Sequence, residues 1–198
     1  MHQDNGIVLL IIVGVSGLFI LLYIIYLYNS LIARKNNIDY ALGTIDALLK
    51  KRFDLIPNLV ETTKAYMKHE REVLEKVVEL RKMYADTDFK NTSTSEIDKI
   101  NDEITKGLKS IFAIVENYPT LKANENMLHL QKTLTEIEEQ ISAARRAYNA
   151  AVMEYNNMIE QFPSNIIAEH LNYKKRDYFN IPEEEKRNIQ LKDMLQQK

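Results

Sequence analysis

Residues 127–162, MLHLQKTLTEIEEQISAARRAYNAAVMEYNNMIEQF, hold the longest periodic apolar pattern in this 198-residue chain. Apolar side chains recur there at alternating steps of three and four, a 3.5-residue period held for five heptads. Such a pattern predicts a long α-helix with one apolar stripe, packed as in a coiled coil. The stripe consists of Met127, Leu130, Leu134, Ile137, Ile141, Ala144, Tyr148, Ala151, Tyr155, Met158 and Phe162.

Segments with the same period flank this stretch. Apolar residues repeat at helical spacing over 31–49, 59–84 and 97–118, and Ser93 with Glu96 forms a candidate capping box before the last of these. Sustained two-residue alternation is absent from the sequence, so no sheet is expected. The predicted fold is all-α, an up-and-down, coiled-coil-like antiparallel helical bundle.

A second decisive stretch, Gly6–Tyr28, is 23 residues long and holds no charged residue. A helix of that length rises roughly 34 Å, enough for the ~30 Å hydrocarbon core of a bilayer. A cleaved signal peptide is the alternative, but residues 1–5 carry no Lys or Arg and the run is too long. We therefore expect a single-pass transmembrane helix that continues into the bundle and ends near Phe53.

Basic residues indicate the orientation of this helix. Arg34 and Lys35 follow the span, and three more basic residues occupy 50–52, whereas residues 1–5 contain no Lys or Arg. The positive-inside rule then places residues 1–5 outside as a short tail and the helical bundle in the cytoplasm.

Composition argues against several function classes. The chain has no Cys, only five Gly residues and no Gly-rich phosphate loop, and its net charge of −2 gives no basic field for nucleic acid. Glu125 and His129 are four apart and could hold one metal weakly, although a solvated pair is the simpler interpretation. We expect no catalytic residue, cofactor, metal or small-molecule substrate, and hence no enzyme.

Three motifs occur in order along the chain: Phe53–Val60 after Lys50-Lys51-Arg52, Ala147-Tyr148-Asn149 through Tyr155-Asn156, and Phe162–Ala168. Together they resemble the LemA family of bacterial membrane proteins. The resemblance covers about residues 28–181, continues to Tyr178-Phe179, and implies a helical bundle at residues 29–180 anchored in the bacterial inner membrane. It implies no reaction and no catalytic residues. Residues 181–198 fall largely beyond it and are expected to form a tail helix that begins near Pro182.

Two of these motifs are interpreted as structural turns. Pro57 suits the first turn of the second helix, and Asp54 is placed to accept hydrogen bonds from free amides there. Pro163 stops the long helix, and Ser164 is a candidate cap for the short stretch that follows. The alternative is that the turn at 53–57 is a docking point.

The long helix is longer than the helices predicted to pack against it. Part of its apolar stripe must therefore be buried by something else. We expect that part to pack against a second copy of the chain or against the C-terminal segment that follows. A break in the helix is the alternative. The candidate self-association residues are Tyr148, Ala151, Tyr155, Met158 and Phe162.

A basic and aromatic segment follows the long helix and should return towards the bilayer. Basic side chains near an anionic leaflet contribute ~1 kcal/mol each, and aromatic rings favour the interface. The alternative is that the rings fold onto the bundle while the charges face water. The candidate membrane-surface residues are Tyr173, Lys174, Lys175, Arg176, Tyr178 and Phe179.

These features favour a non-enzymatic, membrane-anchored scaffold or adaptor that self-associates and contacts lipid or an unknown protein partner. The alternative function is a signalling or regulatory module that relays change along the first helix.

Overall fold

The computed structural model describes residues 2–64, 75, 79, 82 and 92–180 of the chain. Within these ranges the regular structure is helical and contains no strand, which confirms the all-α prediction. The predicted second helix beyond residue 64 and the predicted tail helix at 181–198 lie outside the described residues. The helices are α1 (His2–Asp54), α2 (Ile56–Lys64), α3 (Thr94–Val115), α4 (Pro119–Lys122), α5 (Glu125–Glu160) and α6 (Ser164–His170).

Helix α1 changes character along its length. Its large apolar side chains from Leu9 to Tyr26 are all exposed, whereas from Leu27 onward buried positions alternate with exposed ones. A helix that is apolar on every side and exposed on every side is suited to hydrocarbon rather than water. Among the described residues this helix alone is long and apolar enough to cross a membrane, and its most apolar 18-residue stretch has a mean hydropathy of 2.7. These properties fit a membrane protein.

The chain divides into two compact units. The anchor unit comprises Met1–Tyr40 and Ala150–Arg176, and the core unit comprises Ala41–Asn149 and Asp177–Lys198. Both α1 and α5 contribute to each unit, because the divisions fall inside these two helices.

The core unit is built on apolar stripes of α2, α3 and α5. The stripe predicted for α3 is buried, and Ser93 caps this helix by accepting a hydrogen bond from the Glu96 amide at 3.3 Å. The first three residues of the α5 stripe, Met127, Leu130 and Leu134, pack in the same cluster. The cluster contains Phe53, Ile56, Leu59, Val60, Ile100, Ile104, Leu108, Ile111, Val115, Leu121, Met127, Leu130 and Leu134.

The turn between α1 and α2 is one residue long. Asp54 is the last residue of α1 and is exposed, and Leu55 alone separates the two helices. The Leu55 carbonyl accepts from the Leu59 amide at 3.1 Å, so a backbone group bonds one of the first amides of α2. Pro57 lies in the first turn of α2, where its missing amide hydrogen costs nothing.

In the anchor unit, α1 pairs with the end of α5. Arg34 Nη1 donates to Glu154 Oε2 at 2.7 Å, and Ser30 Oγ donates to Met158 Sδ at 3.5 Å. The earlier residue on α1 thus meets the later residue on α5, the order expected of antiparallel neighbours.

Ser164 corrects one prediction. It is the first residue of α6, and its hydroxyl donates to the carbonyls of Met158 at 2.6 Å and Gln161 at 2.9 Å. Met158 is in the last turn of α5 and Gln161 directly follows that helix, where carbonyl groups lack helical partners. Ser164 therefore closes α5, and its expected role as the cap of α6 is wrong.

Candidate functional site: Tyr–Asn pairs on α5 and the corner beside the anchor

Two consecutive Tyr–Asn pairs on α5 contact the C-terminal segment, residues 172–180. Tyr148 and Asn149 belong to the core unit, whereas Tyr155 and Asn156 belong to the anchor unit. Both pairs lie in the second motif of the family resemblance.

In the core unit, Asn149 binds both backbone groups of Phe179. Its Nδ2 donates to the Phe179 carbonyl at 3.0 Å, and its Oδ1 accepts from the Phe179 amide at 2.9 Å. A primary amide can do this because it carries a donor and an acceptor side by side. The Phe179 ring meets the Tyr148 ring edge to face, with centroids 4.8 Å apart, and only 2% of Phe179 is exposed.

In the anchor unit, Asn156 binds Arg176 in the same way. The carbonyl and the amide of Arg176 each lie 3.0 Å from the Asn156 amide group. The Tyr155 ring contacts Tyr173 at a centroid distance of 6.3 Å, and its hydroxyl donates to the Lys174 carbonyl at 3.2 Å. Burial raises the pKa of Tyr155, and the nearby Arg176 charge opposes that shift.

A buried ion pair lies beside Phe179 in the core unit. Asp98 on α3 is 2.8 Å from Arg145 on α5, and the other Asp98 oxygen accepts from the Asn180 amide at 3.1 Å. The Arg145 guanidinium lies 5.6 Å from the centre of the Phe179 ring, within cation–π range. Burial raises the pKa of Asp98, and Arg145 opposes that shift.

A second buried cation, Arg52, joins three helices of the core unit. It is 3% exposed and donates from Nη1 to Asn101 Oδ1 at 2.9 Å and to Thr105 Oγ1 at 3.1 Å. The same nitrogen lies 2.5 Å from the Glu138 carboxylate. Burial lowers the pKa of Arg52, and the Glu138 charge counteracts that effect. Removing the Glu138 charge would leave the buried Arg52 guanidinium without its counter-ion, which is costly.

The anchor unit contains a cavity of about 450 Å³ near the end of the apolar span. Tyr23 and Leu27 of α1 line one side, and the Arg34–Glu154 ion pair forms part of the wall. The remaining lining comes from the end of α5 and from residues 161–164. We refer to residues 161–166 as the corner, because there the chain leaves α5 and enters α6.

The self-association candidates differ in exposure. Tyr148, Ala151 and Tyr155 are buried, Met158 is half-buried and Phe162 is 80% exposed. Aromatic residues of the C-terminal segment lie against Tyr148 and Tyr155. Self-association therefore stays a prediction, and Phe162 is the member of this set most open to a partner.

The membrane-surface candidates also separate into two groups. Phe179 is buried and Tyr173 is half-buried, with Lys35 Nζ 5.9 Å from the centre of the Tyr173 ring. Tyr178 and the three basic residues at 174–176 are exposed, and Lys175 forms an ion pair with Glu160. Two of the three rings thus pack onto the protein, while the basic charges remain accessible.

Sequence reasoning missed the roles of Asn149 and Asn156, although a signal was present. Within α5 the Tyr–Asn dipeptide occurs twice, seven residues apart, which repeats one position of the heptad. Arg52 also had a signal, because it continues the stripe after Ile45 and Leu49 where an apolar residue is expected. The pairing of Asp98 with Arg145 had no such signal.

The described ranges contain no group of three or more His, Asp or Glu side chains that could hold a metal ion. Glu125 and His129, considered above as a weak metal pair, are both exposed on the first turns of α5.

Comparison with known proteins identifies the family. Residues 41–192, more than half of the chain, match the LemA family. The chain belongs to the LemA family. The resemblance seen in the three motifs is thereby confirmed, and two of those motifs are the turn at Leu55 and the Tyr–Asn pairs described above.

Individual known proteins are similar to this chain over different lengths. Protein LemA of Metamycoplasma hominis is 28% identical over 191 residues, which cover 91% of this chain and 84% of that protein. Magnetosome protein MamQ of Magnetospirillum gryphiswaldense is 21% identical and covers 77% of this chain and 64% of its own length. Magnetosome protein MamQ 1 of Paramagnetospirillum magneticum is 36% identical over 72 residues, which are 26% of that protein.

Proposed function

We propose that this LemA-family chain is a non-enzymatic, membrane-anchored helical scaffold that binds protein partners, including copies of itself. Its helices would form an antiparallel, coiled-coil-like bundle. The observation that carries the proposal is α1, a single 53-residue helix. Its first part exposes apolar side chains over a bilayer-spanning length, and its last part is buried in the core unit. One helix thus serves both as the anchor and as a structural member of the folded unit.

The buried polar side chains support a structural role. Arg52, Asp98 and Arg145 pair with other side chains, and the Asn residues of the Tyr–Asn pairs bind backbone groups. Such contacts hold helices and the C-terminal segment in one arrangement. A scaffold requires this kind of order because its partners bind a surface of defined shape.

The names of the MamQ relatives add support of a different kind. Those proteins are named as magnetosome proteins, which associates them with an assembly. By analogy, we propose that the present chain also works as a component of an assembly.

We further propose that the protein lies in the bacterial inner membrane with its N-terminus outside. The chain has no Cys, so a single introduced Cys can report sidedness. A membrane-impermeant maleimide should label Gln3→Cys in intact cells and Gln140→Cys, on an exposed position of α5, only after permeabilisation. The opposite labelling pattern would invert the proposed orientation.

Self-association is tested by site-specific photo-crosslinking of the full-length protein in intact cells. A photoreactive residue would replace Met153 or Leu128, each 50% exposed on α5, and the buried Val152 would serve as the matched control. We expect a product of twice the chain mass from an exposed position and none from Val152. Only single-chain products from both exposed positions would overturn self-association. A product with one defined other protein would make the chain an adaptor.

A further inference from the structure

We propose that the corner of the anchor unit, residues 161–166, is a second membrane contact whose partner is the interfacial layer of the phospholipid bilayer beside α1. This contact differs from the basic and aromatic segment discussed above. It places Phe162 and Ile166 in the interface at the depth where the apolar span ends.

Large apolar side chains in and near the corner are open to solvent. Phe162 is 80% exposed and Ile166 is 60% exposed, and Leu171 at the end of α6 is 39% exposed. Large apolar side chains this close together and this open to solvent mark a surface that meets something other than water. Phe162 is also the terminal member of the α5 stripe, and the stripe residues before it are buried or half-buried.

The corner lies beside the end of the apolar span of α1. Phe162 lines the same cavity as Tyr23 and Leu27, which belong to the last turns of the apolar run. The Ser30–Met158 hydrogen bond sets this register, since Met158 lies in the last turn of α5, four residues before Phe162. The corner is thus continuous with the lipid-facing surface of α1, and this continuity points to lipid as the partner.

Along the membrane normal, the apolar groups of the corner are followed by basic groups farther from the span. Lys35 lies over the Tyr173 ring, so the basic residues 174–176 lie near the level of Lys35. Lys35 is eight residues beyond Leu27, or about 12 Å along α1. The headgroup layer is roughly 5–8 Å thick on each side. Apolar groups at the edge of the hydrocarbon with basic groups just outside match the surface of an anionic leaflet.

Polar residues limit the depth of this contact. Gln161 precedes Phe162, and the exposed Glu169 and His170 end α6. Ionised groups so close to Ile166 are compatible with the interface but not with the hydrocarbon centre. The expected contact is therefore shallow, as for an amphipathic helix that lies in the membrane surface.

The absence of Trp from the sequence allows a direct test. Phe162→Trp introduces a unique fluorophore at an exposed position that can accept a larger ring. The full-length variant would be reconstituted in phosphatidylcholine–phosphatidylglycerol vesicles, with lipids brominated near the top of the acyl chain as quenchers. We expect a blue-shifted emission that brominated lipid reduces by about half, because interfacial apolar groups lie ~5–10 Å deep.

Met153→Trp is the matched control. It lies on α5 in the same unit, is 50% exposed, and precedes the end of that helix by seven residues, roughly 10 Å along its axis. We expect aqueous iodide to quench this control and brominated lipid to leave it nearly unchanged. Ile166→Trp provides a second reporter in the corner and should behave like Phe162→Trp.

Two results would overturn the proposal. If iodide quenches the corner reporters as strongly as the control, the corner faces water. If neither lipid nor iodide quenches them, a protein covers the corner instead. The quenching measurement would then be repeated at a lower ratio of protein to lipid. If the covering protein is a second copy of the chain, it should dissociate on dilution, and iodide should then quench the corner reporters.

Discussion

The Tyr–Asn pair of the core unit and that of the anchor unit make the same hydrogen bonds in different surroundings. Asn149 and Asn156 each hold one residue of the C-terminal segment by its amide and carbonyl, at 2.9–3.0 Å. Beside Asn149, however, Phe179 is fully buried and packs against Arg145. Arg176, held by Asn156, is exposed. The comparison teaches that burial, rather than the hydrogen-bond pattern, should determine how strongly each pair holds its segment.

Removal of the two rings tests this conclusion with the largest expected effect. Phe179→Ala should lower the free energy of unfolding by about 3–5 kcal/mol, because it empties a fully buried site. Tyr173→Ala should cost roughly 1–2 kcal/mol, because Tyr173 is only half-buried. Denaturant unfolding of the detergent-solubilised protein, followed by circular dichroism, measures both values. Equal losses of unfolding free energy in the two variants would show that burial does not make one pair hold its segment more strongly than the other.

Removal of the two amides should have a smaller effect. Asn149→Ala leaves the amide and carbonyl of Phe179 unpaired in a buried position, at a cost of about 2 kcal/mol. Asn156→Ala should cost roughly 1 kcal/mol, because water can reach the backbone of the exposed Arg176.

Hydrogen exchange assigns these losses to their positions. Asn149→Ala should accelerate exchange of the Phe179 amide, and Asn156→Ala should accelerate exchange of the Arg176 amide. Each variant serves as the control for the other. Unchanged exchange at the amide facing the substituted Asn would show that this hydrogen bond is not formed in solution.

Loss of a single hydroxyl should have a still smaller effect. Tyr155→Phe removes the hydrogen bond to the Lys174 carbonyl and keeps the ring contact with Tyr173, so we expect a loss of about 0.5–1.5 kcal/mol. Tyr178→Phe is the control, because Tyr178 is exposed and should tolerate the change. A loss for Tyr155→Phe no larger than for the control would mean that the hydroxyl contributes nothing to this pair.

The smallest expected effect is a pH dependence in the core unit. Burial raises the folded-state pKa of Asp98 above 3.8, so the folded protein holds this proton more tightly than the unfolded chain. The contribution of Asp98 to stability is therefore greatest below pH 3.8 and falls as pH rises through the folded-state pKa. Compared with Asp98→Asn, the wild type should have a free energy of unfolding that falls between pH 3.8 and the folded-state pKa of Asp98. At higher pH the difference between the two proteins should stay constant.

Denaturant unfolding at a series of acidic pH values would measure this difference, with Glu139→Gln on α5 as an exposed control. A wild-type advantage that grows with pH would show that attraction by Arg145 outweighs burial at Asp98.

Much of the fold could be predicted from periodicity because helices repeat locally. The α5 stripe, the α3 stripe and a first helix that ends near Phe53 all depend on neighbours three or four residues apart. The roles of single polar residues were less predictable. Ser164 was expected to cap α6, yet its hydroxyl bonds carbonyls of α5, because a serine at a helix junction has acceptors available on both sides.

The sequence by itself determined the helical class, the membrane-spanning run and the family, since these depend on composition, period and ordered motifs. Only the tertiary structure decided what covers the end of the α5 stripe and which apolar residues stay open. Tyr148 and Tyr155 receive rings of the chain's own C-terminal segment, whereas Phe162 does not. These outcomes depend on contacts between residues far apart in the chain, and the periodicity of one helix carries no information about which segment will pack on it.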